Sequence, residues 1–372
     1  MASICGSPVC AGGKPKLKFT YTGDYVVRKD GVVELLTSGT IVFLEPKVID
    51  VFMVGGGGGG ASFKSGESSS QGYGGGAGGY TRTIRRVSIA TGTSINVTVG
   101  AGGAAQINGN SSAMGSFEVS GGYGASGGSI ARKQGGSGGS GGGGGVDSNS
   151  DYGTGGSDGA NGEHGFPTTT PGGAGQGFST REFGESTGKL YAGGGGGGRY
   201  MSAQSPIVSM GGPGGGGSGG FSATSTIKQA AAAGVANTGG GGGGGSIGPD
   251  IQSLISGGSG GSGIVCFRDA QELPELAGTW VLNERLYAPT ESVKTDTNFS
   301  GTTKTGKVEQ FISVTNGPNA VTAKPASGLS LTIYSYSTNQ WNEKYNTWTF
   351  PAGATASDEF RAWLASNATK QA

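Results

Sequence analysis

Six consecutive glycines, residues 55–60, follow directly on the strand-like run Val48-Ile49-Asp50-Val51-Phe52-Met53-Val54. Runs of glycine, or nearly so, return at 74–79, 135–145, 193–198, 211–220, 239–245 and 257–263, within a total of 85 glycines in 372 residues. A fold for this chain must give those glycines a physical purpose. Gly/Ser-rich sequence is usually flexible linker. Collagen demands glycine at every third place and abundant proline. The period here is not strict and there are 13 prolines, so collagen is excluded. The remaining solution is a packed bundle of polyglycine II helices. Such a helix turns once in three residues and makes no internal hydrogen bonds. Its N–H and C=O groups point sideways and must find partners in neighbouring helices once buried. Neighbours on every side leave no room for a Cβ.

Two features of the pattern favour the ordered bundle over the linker. The glycine runs are interleaved with strand-like segments. Several also carry a beat of three, as in Gly135-Gly136-Ser137-Gly138-Gly139-Ser140 and Gly257-Gly258-Ser259-Gly260-Gly261-Ser262, which places each serine on one face of a threefold helix. Ordering a glycine costs roughly 0.5–1 kcal/mol relative to alanine. A backbone hydrogen bond returns about 1 kcal/mol net, so the bundle has to form cooperatively.

The remaining sequence divides around this territory. Residues 1–16 read as an N-terminal arm, 17–268 as a β-sandwich into which the glycine bundle is inserted, 269–277 as a linker around Pro274, and 278–372 as a small α+β domain. In the second unit, strands are expected at 17–21, 25–28, 32–36, 40–44, 48–54, 80–89, 94–99, 116–119 and 263–268, with a turn at Asp30-Gly31. The inserts 61–73, 146–171, 199–210 and 221–238 read as loops at the ends of the helices, and Ile227 to Ala233 as a short helical turn. In the last unit, strands are expected at 279–286, 292–299, 308–314, 329–336 and 341–350. A final helix begins at the N-cap Ser357, with Asp358 and Glu359 in its first turn and Phe360, Trp363 and Leu364 on one face.

Charge and cysteine usage narrow the function classes. The net charge is +1, and no basic patch invites nucleic acid. Arg82, Arg85 and Arg86 fall in an alternating strand and read as solvated surface. Met1 to Lys16 lacks the apolar core of a secretory signal, and no apolar run reaches membrane-spanning length. The three cysteines, Cys5, Cys10 and Cys266, form no metal or disulfide pattern; Cys266 reads as a buried thiol.

Several phrases resemble glycine-rich phage tail proteins: Phe19-Thr20-Tyr21-Thr22-Gly23, Ile49-Asp50-Val51-Phe52-Met53-Val54, Gly78-Gly79-Tyr80-Thr81, Thr98-Val99-Gly100-Ala101-Gly102-Gly103, Thr180-Arg181-Glu182-Phe183-Gly184-Glu185 and Gly261-Ser262-Gly263-Ile264-Val265. Together they span about residues 17–268. The phrases 276–284 and 358–364 resemble a module appended to tail proteins of phages and prophages of gut bacteria. The layout is also similar to the glycine-rich domain of the anaplastic lymphoma kinase receptor family and to the adhesins that tip T-even long tail fibres. The resemblance implies a polyglycine II sandwich that holds variable loops, a place on the virion after synthesis in the host cytoplasm, and a bacterial cell-surface receptor, glycan or protein, as partner. Other tail or baseplate proteins would be further partners. Fibres are often trimeric, so a homotrimer is one oligomeric option, although no coiled-coil heptad appears.

Catalytic signals are weak. His164, the sole histidine, lies in a loop without a nucleophile elbow. Gly184 to Lys189 is one residue short of a phosphate loop and ends in Leu190. Glu182 and Glu185 invite comparison with a glycosidase pair, but read as turn carboxylates beside Arg181. No enzyme, metal or cofactor is therefore expected. Binding through loops is the better reading, and aromatic loop residues are its natural anchors. Tyr152, Phe166 and Tyr200 are the candidates in the longer inserts, and Trp341 and Tyr345 line a groove in the C-terminal domain on this reading. Tyr73, Tyr123 and Phe221 read as packing against glycine helices, and Trp348 as core. Three alternatives to an adhesin stand beside it: a purely structural tail protein that attaches or caps a fibre, a secreted or receptor-type signalling ectodomain, and an ice-binding protein. The charged inserts and Tyr200 argue against the last.

Overall fold

The computed structural model describes residues 18–64, 71–125, 134–145, 161–162, 180–185, 187–200, 209–222, 228–248, 254–270, 273–275, 277–282, 347–350, 361, 364–365 and 368–371. In chain order the strands are β1 (Phe19–Tyr21), β2 (Tyr25–Val27), β3 (Val33–Leu35), β4 (Gly39–Phe43), β5 (Lys47–Val54), β6 (Gln71–Gly72), β7 (Thr81–Ile89), β8 (Ser94–Thr98), β9 (Ser112–Met114) and β10 (Phe117–Val119). Then come β11 (Arg199–Tyr200), β12 (Phe221–Ser222), β13 (Lys228–Gln229), β14 (Ser246–Ile247), β15 (Ile264–Asp269), β16 (Gly278–Leu282), β17 (Thr347–Phe350) and β18 (Ala368–Lys370).

Two five-stranded sheets, β1-β4-β8-β9-β10 and β2-β3-β15-β5-β7, pack as a β-sandwich. Alternation builds the core between them: Ile41 and Phe43 from one sheet meet Val33, Leu35, Ile49, Val51, Met53, Val265 and Phe267 from the other. β5 is apolar nearly throughout because both its faces are covered. Ile49, Val51 and Met53 face the sandwich core, whereas Phe52 and Val54 join Val32, Ile264 and Cys266 in a second core under Phe183, Tyr191 and Ala192. Cys266 is fully buried. The sheet of β5 and β15 is thus a middle layer. The expected strands of residues 17–119 and 263–268 are all present within a few residues of their ends. β9 is additional: it pairs with both β8 and β10, across a turn at Gly115.

The glycine runs leave this sandwich as laterally bonded rods. The segment 55–61 shows the rule. Gly55, Gly58 and Ala61 donate to the carbonyls of Tyr80, Ala77 and Gly74. Gly56 and Gly59 donate to Asn110 and Ile107, and Gly57 and Gly60 to Gly261 and Gly258. The donors therefore address three neighbours in rotation, with a period of three. The acceptors address three more: Gly56 and Gly59 accept from Gly122 and Ala125, Gly57 and Gly60 from Gly103 and Gln106, and Gly58 and Ala61 from Gly242 and Gly245. One rod is held on six sides, and every N–H of 55–61 and every carbonyl of 56–61 has a partner.

Segments 73–80 and 239–245 are surrounded in the same way, and the three central rods bond to one another in a cycle. Gly58 donates to Ala77 O (2.8 Å), Gly76 to Gly242 O (2.8 Å) and Gly242 back to Gly58 O (2.9 Å). Glycine is obligatory here for steric reasons: a Cβ on Gly57 would stand 2.0 Å from Gly240 O, and one on Gly241 2.1 Å from Gly76 O. Side chains return mainly where a neighbour is missing, although the central rod 73–80 also holds the buried Ala77. Ser256 and Ser259 of the outer rod 256–263 are exposed with their period of three. Ser140 is different: the run 134–145 doubles back around it and buries it.

The described part of the expected helical turn, residues 228–233, forms no helix. Lys228–Gln229 are extended as β13, and residues 231–235 continue as an outer rod, with Ala232 donating to Ser218 O and Val235 to Gly215 O. Alanine fits because the outward side of this rod is open. The insert 221–238 is accordingly scaffold for most of its described length.

The C-terminal strands form a separate sheet, β17-β16-β18, in register Trp280↔Trp348 and Trp280↔Lys370. Residues 361, 364 and 365 are helical, with Leu364 buried. The chain does not end in that helix, since β18 follows it and completes the sheet. Arg361 ties the helix to the preceding segment through the carbonyls of Leu273 and Pro274. The expected strands at 292–299, 308–314 and 329–336, and residues 1–16, lie outside the described residues.

The packing sets a sharp mutational contrast. Gly57→Ala drives a methyl into Gly240 O and is expected to cost more than about 4 kcal/mol or to prevent folding, whereas Ala232→Gly on the outer rod is expected to cost about 1 kcal/mol or less. Thermal melts of both variants check this; a Gly57→Ala protein that melts with the wild type would contradict the packing.

Candidate binding surface

The rods run alternately away from the sandwich and back, and their two ends differ. At the near end the connections are tight: 213–215 turns beside Tyr191, and 236–239 turns with Asn237 Nδ2 donating to Leu36 O (2.8 Å) and Gly263 O (3.2 Å). At the far end a collar of short strands ties the rods together. β14 pairs with β6, β11 with β12 and β12 with β13, and Ser246 bridges to Ile255. Under the collar lie Ala61, Tyr73, Ala125 and Ile247, with Phe63 and Leu254 against them. Buried Phe221 and Arg199 complete it, and burial pushes the Arg199 guanidinium down from its ordinary pKa.

The residues flanking most of the inserts stand at this far end. Lys64 and Gln71 flank one, Ala125 and Gln134 another, then Tyr200 and Ser209, Ser222 and Lys228, and Gly248 and Leu254; Gly145, beside Gly72, precedes a further one. Tyr200, a binding candidate from the sequence, is half-buried in β11 at this collar, paired with Ser222. Tyr152, Phe166, Trp341 and Tyr345 lie outside the described residues, as does His164. Tyr73 and Phe221 are buried, as their expected packing role requires, while Tyr123 on an outer rod is 53% exposed. For Trp348 the backbone pairing with Trp280 is defined.

The carboxylates that invited a catalytic reading are committed elsewhere. Glu182 is buried in a short 3-10 turn against the middle sheet and pairs with Arg28 (2.8 Å). Glu185 pairs with Arg268. Arg268 also approaches Asp50 (3.4 Å), which pairs with Arg85 (3.0 Å). The expectation of three solvated arginines holds for Arg82 and fails for Arg85, which is buried. The cause is a β-bulge: between the pairs Ile49↔Val87 and Val51↔Ile84 two residues, Arg85 and Arg86, oppose Asp50 alone. Arg86 has φ +52°, its N–H donates to Asp50 Oδ1, and the Arg85 guanidinium turns inward to Asp50 and the carbonyl of Phe183. A lone carboxylate inside the apolar run 48–54 was the sequence signal for a buried cationic partner.

Among the described residues no group of three metal-ligating side chains occurs, and no helix is long and apolar enough to cross a membrane. The arrangement is a β-sandwich from which a stack of glycine rods projects, three of them with six neighbours each, and the residues that flank most of the inserts stand at its far end. A family model described as a glycine-rich domain matches residues 37–269. The chain belongs to that glycine-rich family. No curated protein matches the sequence.

The buried second core makes alkaline stability a readout of this architecture. Burial, with Glu182 nearby, raises the Cys266 thiol and the Tyr191 phenol above their ordinary values. Unfolded Cys and Tyr ionise near about 8.5 and 10, so above about pH 8.5 the folded state retains protons that the unfolded state releases, and stability falls as pH rises. Urea midpoints measured from about pH 7 to 10.5 are expected to decline above about pH 8.5, and Cys266→Ala to decline less over the first pH unit of that range. An identical pH profile for the two proteins would contradict the burial of the thiol.

Proposed function

We propose that this protein is a non-enzymatic component of a phage tail, at a fibre tip or baseplate, that binds a receptor on the bacterial surface. The observation that carries the reading is the asymmetry of the rod stack: tight turns face the sandwich, and the residues that flank most of the inserts gather at the opposite end. Rigid scaffolds with variable loops at one end are the usual architecture of recognition. The order of the phrases that resemble glycine-rich phage tail proteins supports the virion setting, with synthesis in the host cytoplasm and release by lysis. The receptor, a glycan or a protein, would meet aromatic anchors of the inserts, with Tyr200, Tyr152 and Phe166 the first to test and Trp341 and Tyr345, the candidates from the C-terminal sequence, after them.

The mechanism is geometric. Rods bonded to neighbours on many sides do not bend independently, so the two ends of an insert mounted on them would be held at a fixed separation, which lowers the cost of ordering it on binding. Sequence change in those parts of the inserts that contribute no rod or collar residue leaves the glycine interior untouched, which allows specificity to vary on a constant frame. Binding of labelled protein to intact bacteria tests this. Replacement of 146–171 and 201–208 by short Gly/Ser connectors is expected to abolish cell binding while the melting temperature stays within a few degrees. Undiminished binding by that variant would overturn the adhesin reading and leave the purely structural tail protein as the better account.

A further inference from the structure

The collar strand β11 is built against the usual preference. It has two residues, Arg199 and Tyr200, and successive residues of a strand face opposite sides of the sheet. One of the two therefore turns inward and the other outward. Tyrosine is the more readily buried of the pair, because its ring is apolar and arginine would carry a charge into the interior. The chain does the reverse. Arg199 is 5% exposed, while Tyr200 is only half-buried. Phe221, in register with Arg199, is buried beside it.

Arg199 and Lys228 are the two charged residues between Leu190 and Pro249. Lys228, on β13, is exposed, as a lysine is expected to be. Arg199 is drawn inside, where burial lowers its pKa. Departures of this kind from the local rules gather at functional sites. This one has a mechanical consequence. β11 is tied by short pairings: Arg199 N–H donates to Gly220 O (2.8 Å), with Arg199↔Phe221 and Tyr200↔Ser222 in register. A slip of one residue along so short a strand would exchange the two side chains. A buried guanidinium is kept inside by the groups that accept from its forked N–H donors. The slip would leave those groups buried without a donor. The side chain fixed outward in consequence is Tyr200.

We propose that Arg199 is a positioning residue for the receptor-binding end: held inside the collar, it fixes β11 so that the Tyr200 ring is presented outward as a contact for the receptor. Arg199 itself touches no receptor atom. The role of Tyr200 rests on the receptor-binding reading, whereas the placement of its ring is measurable without any receptor.

Two readouts separate these parts. 3-Fluorotyrosine placed at position 200 of the full chain gives a single fluorine NMR signal, expected to differ in shift and width from that of the urea-unfolded protein. Arg199→Leu is expected to move the signal most of the way to the unfolded position while the melting temperature stays within a few degrees. Arg199→Lys, which keeps the charge but not the fork, is expected to move it less. A wild-type signal already at the unfolded position, or one that Arg199→Leu leaves unchanged, would overturn the proposal. Should Arg199→Leu fail to fold, an unchanged signal in Arg199→Lys would overturn it instead. The second readout is the binding of labelled protein to intact bacteria. Arg199→Leu is expected to weaken it about tenfold, as is Tyr200→Ala. The double variant is expected to bind no more weakly than Tyr200→Ala alone, because both changes act through one ring. Losses that add in the double variant would place the action of Arg199 elsewhere and overturn the proposal. A wild-type protein that binds no cells would overturn the adhesin reading, and the fluorine signal would still decide whether Arg199 positions the ring.

Discussion

The structure depends on a hydrogen-bonding constraint. A threefold glycine rod satisfies none of its own backbone groups, so every buried N–H and C=O must be met by another rod. One rod or a pair gains nothing, because its outward groups lose nothing by staying in water. The arrangement becomes favourable only when central rods exist. Here there are three, 55–61, 73–80 and 239–245, each with six neighbours and each bonded to the other two in a cycle. The cycle is closed by Gly242 and Gly58, which lie far apart in sequence, so the central stack needs rods from both ends of the glycine-rich region.

The sandwich supplies what the rods lack. Glycine buries no apolar side chain, and hydrophobic burial is the main favourable force in folding. β5 runs without interruption into rod 55–61, and rod 256–263 runs into β15, so the paired strands at the centre of the middle sheet fix the register of two rods. Ser112 reinforces the junction: its hydroxyl donates to Val54 O (2.6 Å) and accepts from Gly100 N–H (2.9 Å). On the other face of that sheet, the Asp50–Arg85 pair and the Glu182 and Glu185 contacts hold residues 180–185 in place, ahead of rod 192–198. Breaking such a buried pair leaves an uncompensated charge, so this cluster aligns a rod as well as covering the sheet.

Much of this was legible in the sequence. Alternation and turn residues located the sandwich strands, and the purity of the glycine runs marked the places where no Cβ fits. The misreadings have local physical causes. Ala230 to Ala233 has high helix propensity, but the rod position overrides it because an outer rod accepts a methyl on its open side. Arg85 follows an alternating pattern that a bulge shifts by one residue. The tyrosines divide by coordination: Tyr73 is enclosed by the collar while Tyr123 projects from an outer rod, a distinction set by the stacking order of rods distant in sequence. Of the binding candidates, Tyr200 is placed at the collar by two-residue strands, which are too short for any periodic signal to announce them.

Site-resolved hydrogen exchange tests the central claim most directly. If the glycine rods are a solid interior, the amides of Gly58, Gly76 and Gly242 exchange only through global unfolding, at the rate of Val51 in β5 and Val265 in β15, while outer-rod amides such as Ala232 exchange sooner. Exchange of the three central glycines within seconds, with β5 and β15 still protected, would show that the sandwich folds without the rods and would contradict the account.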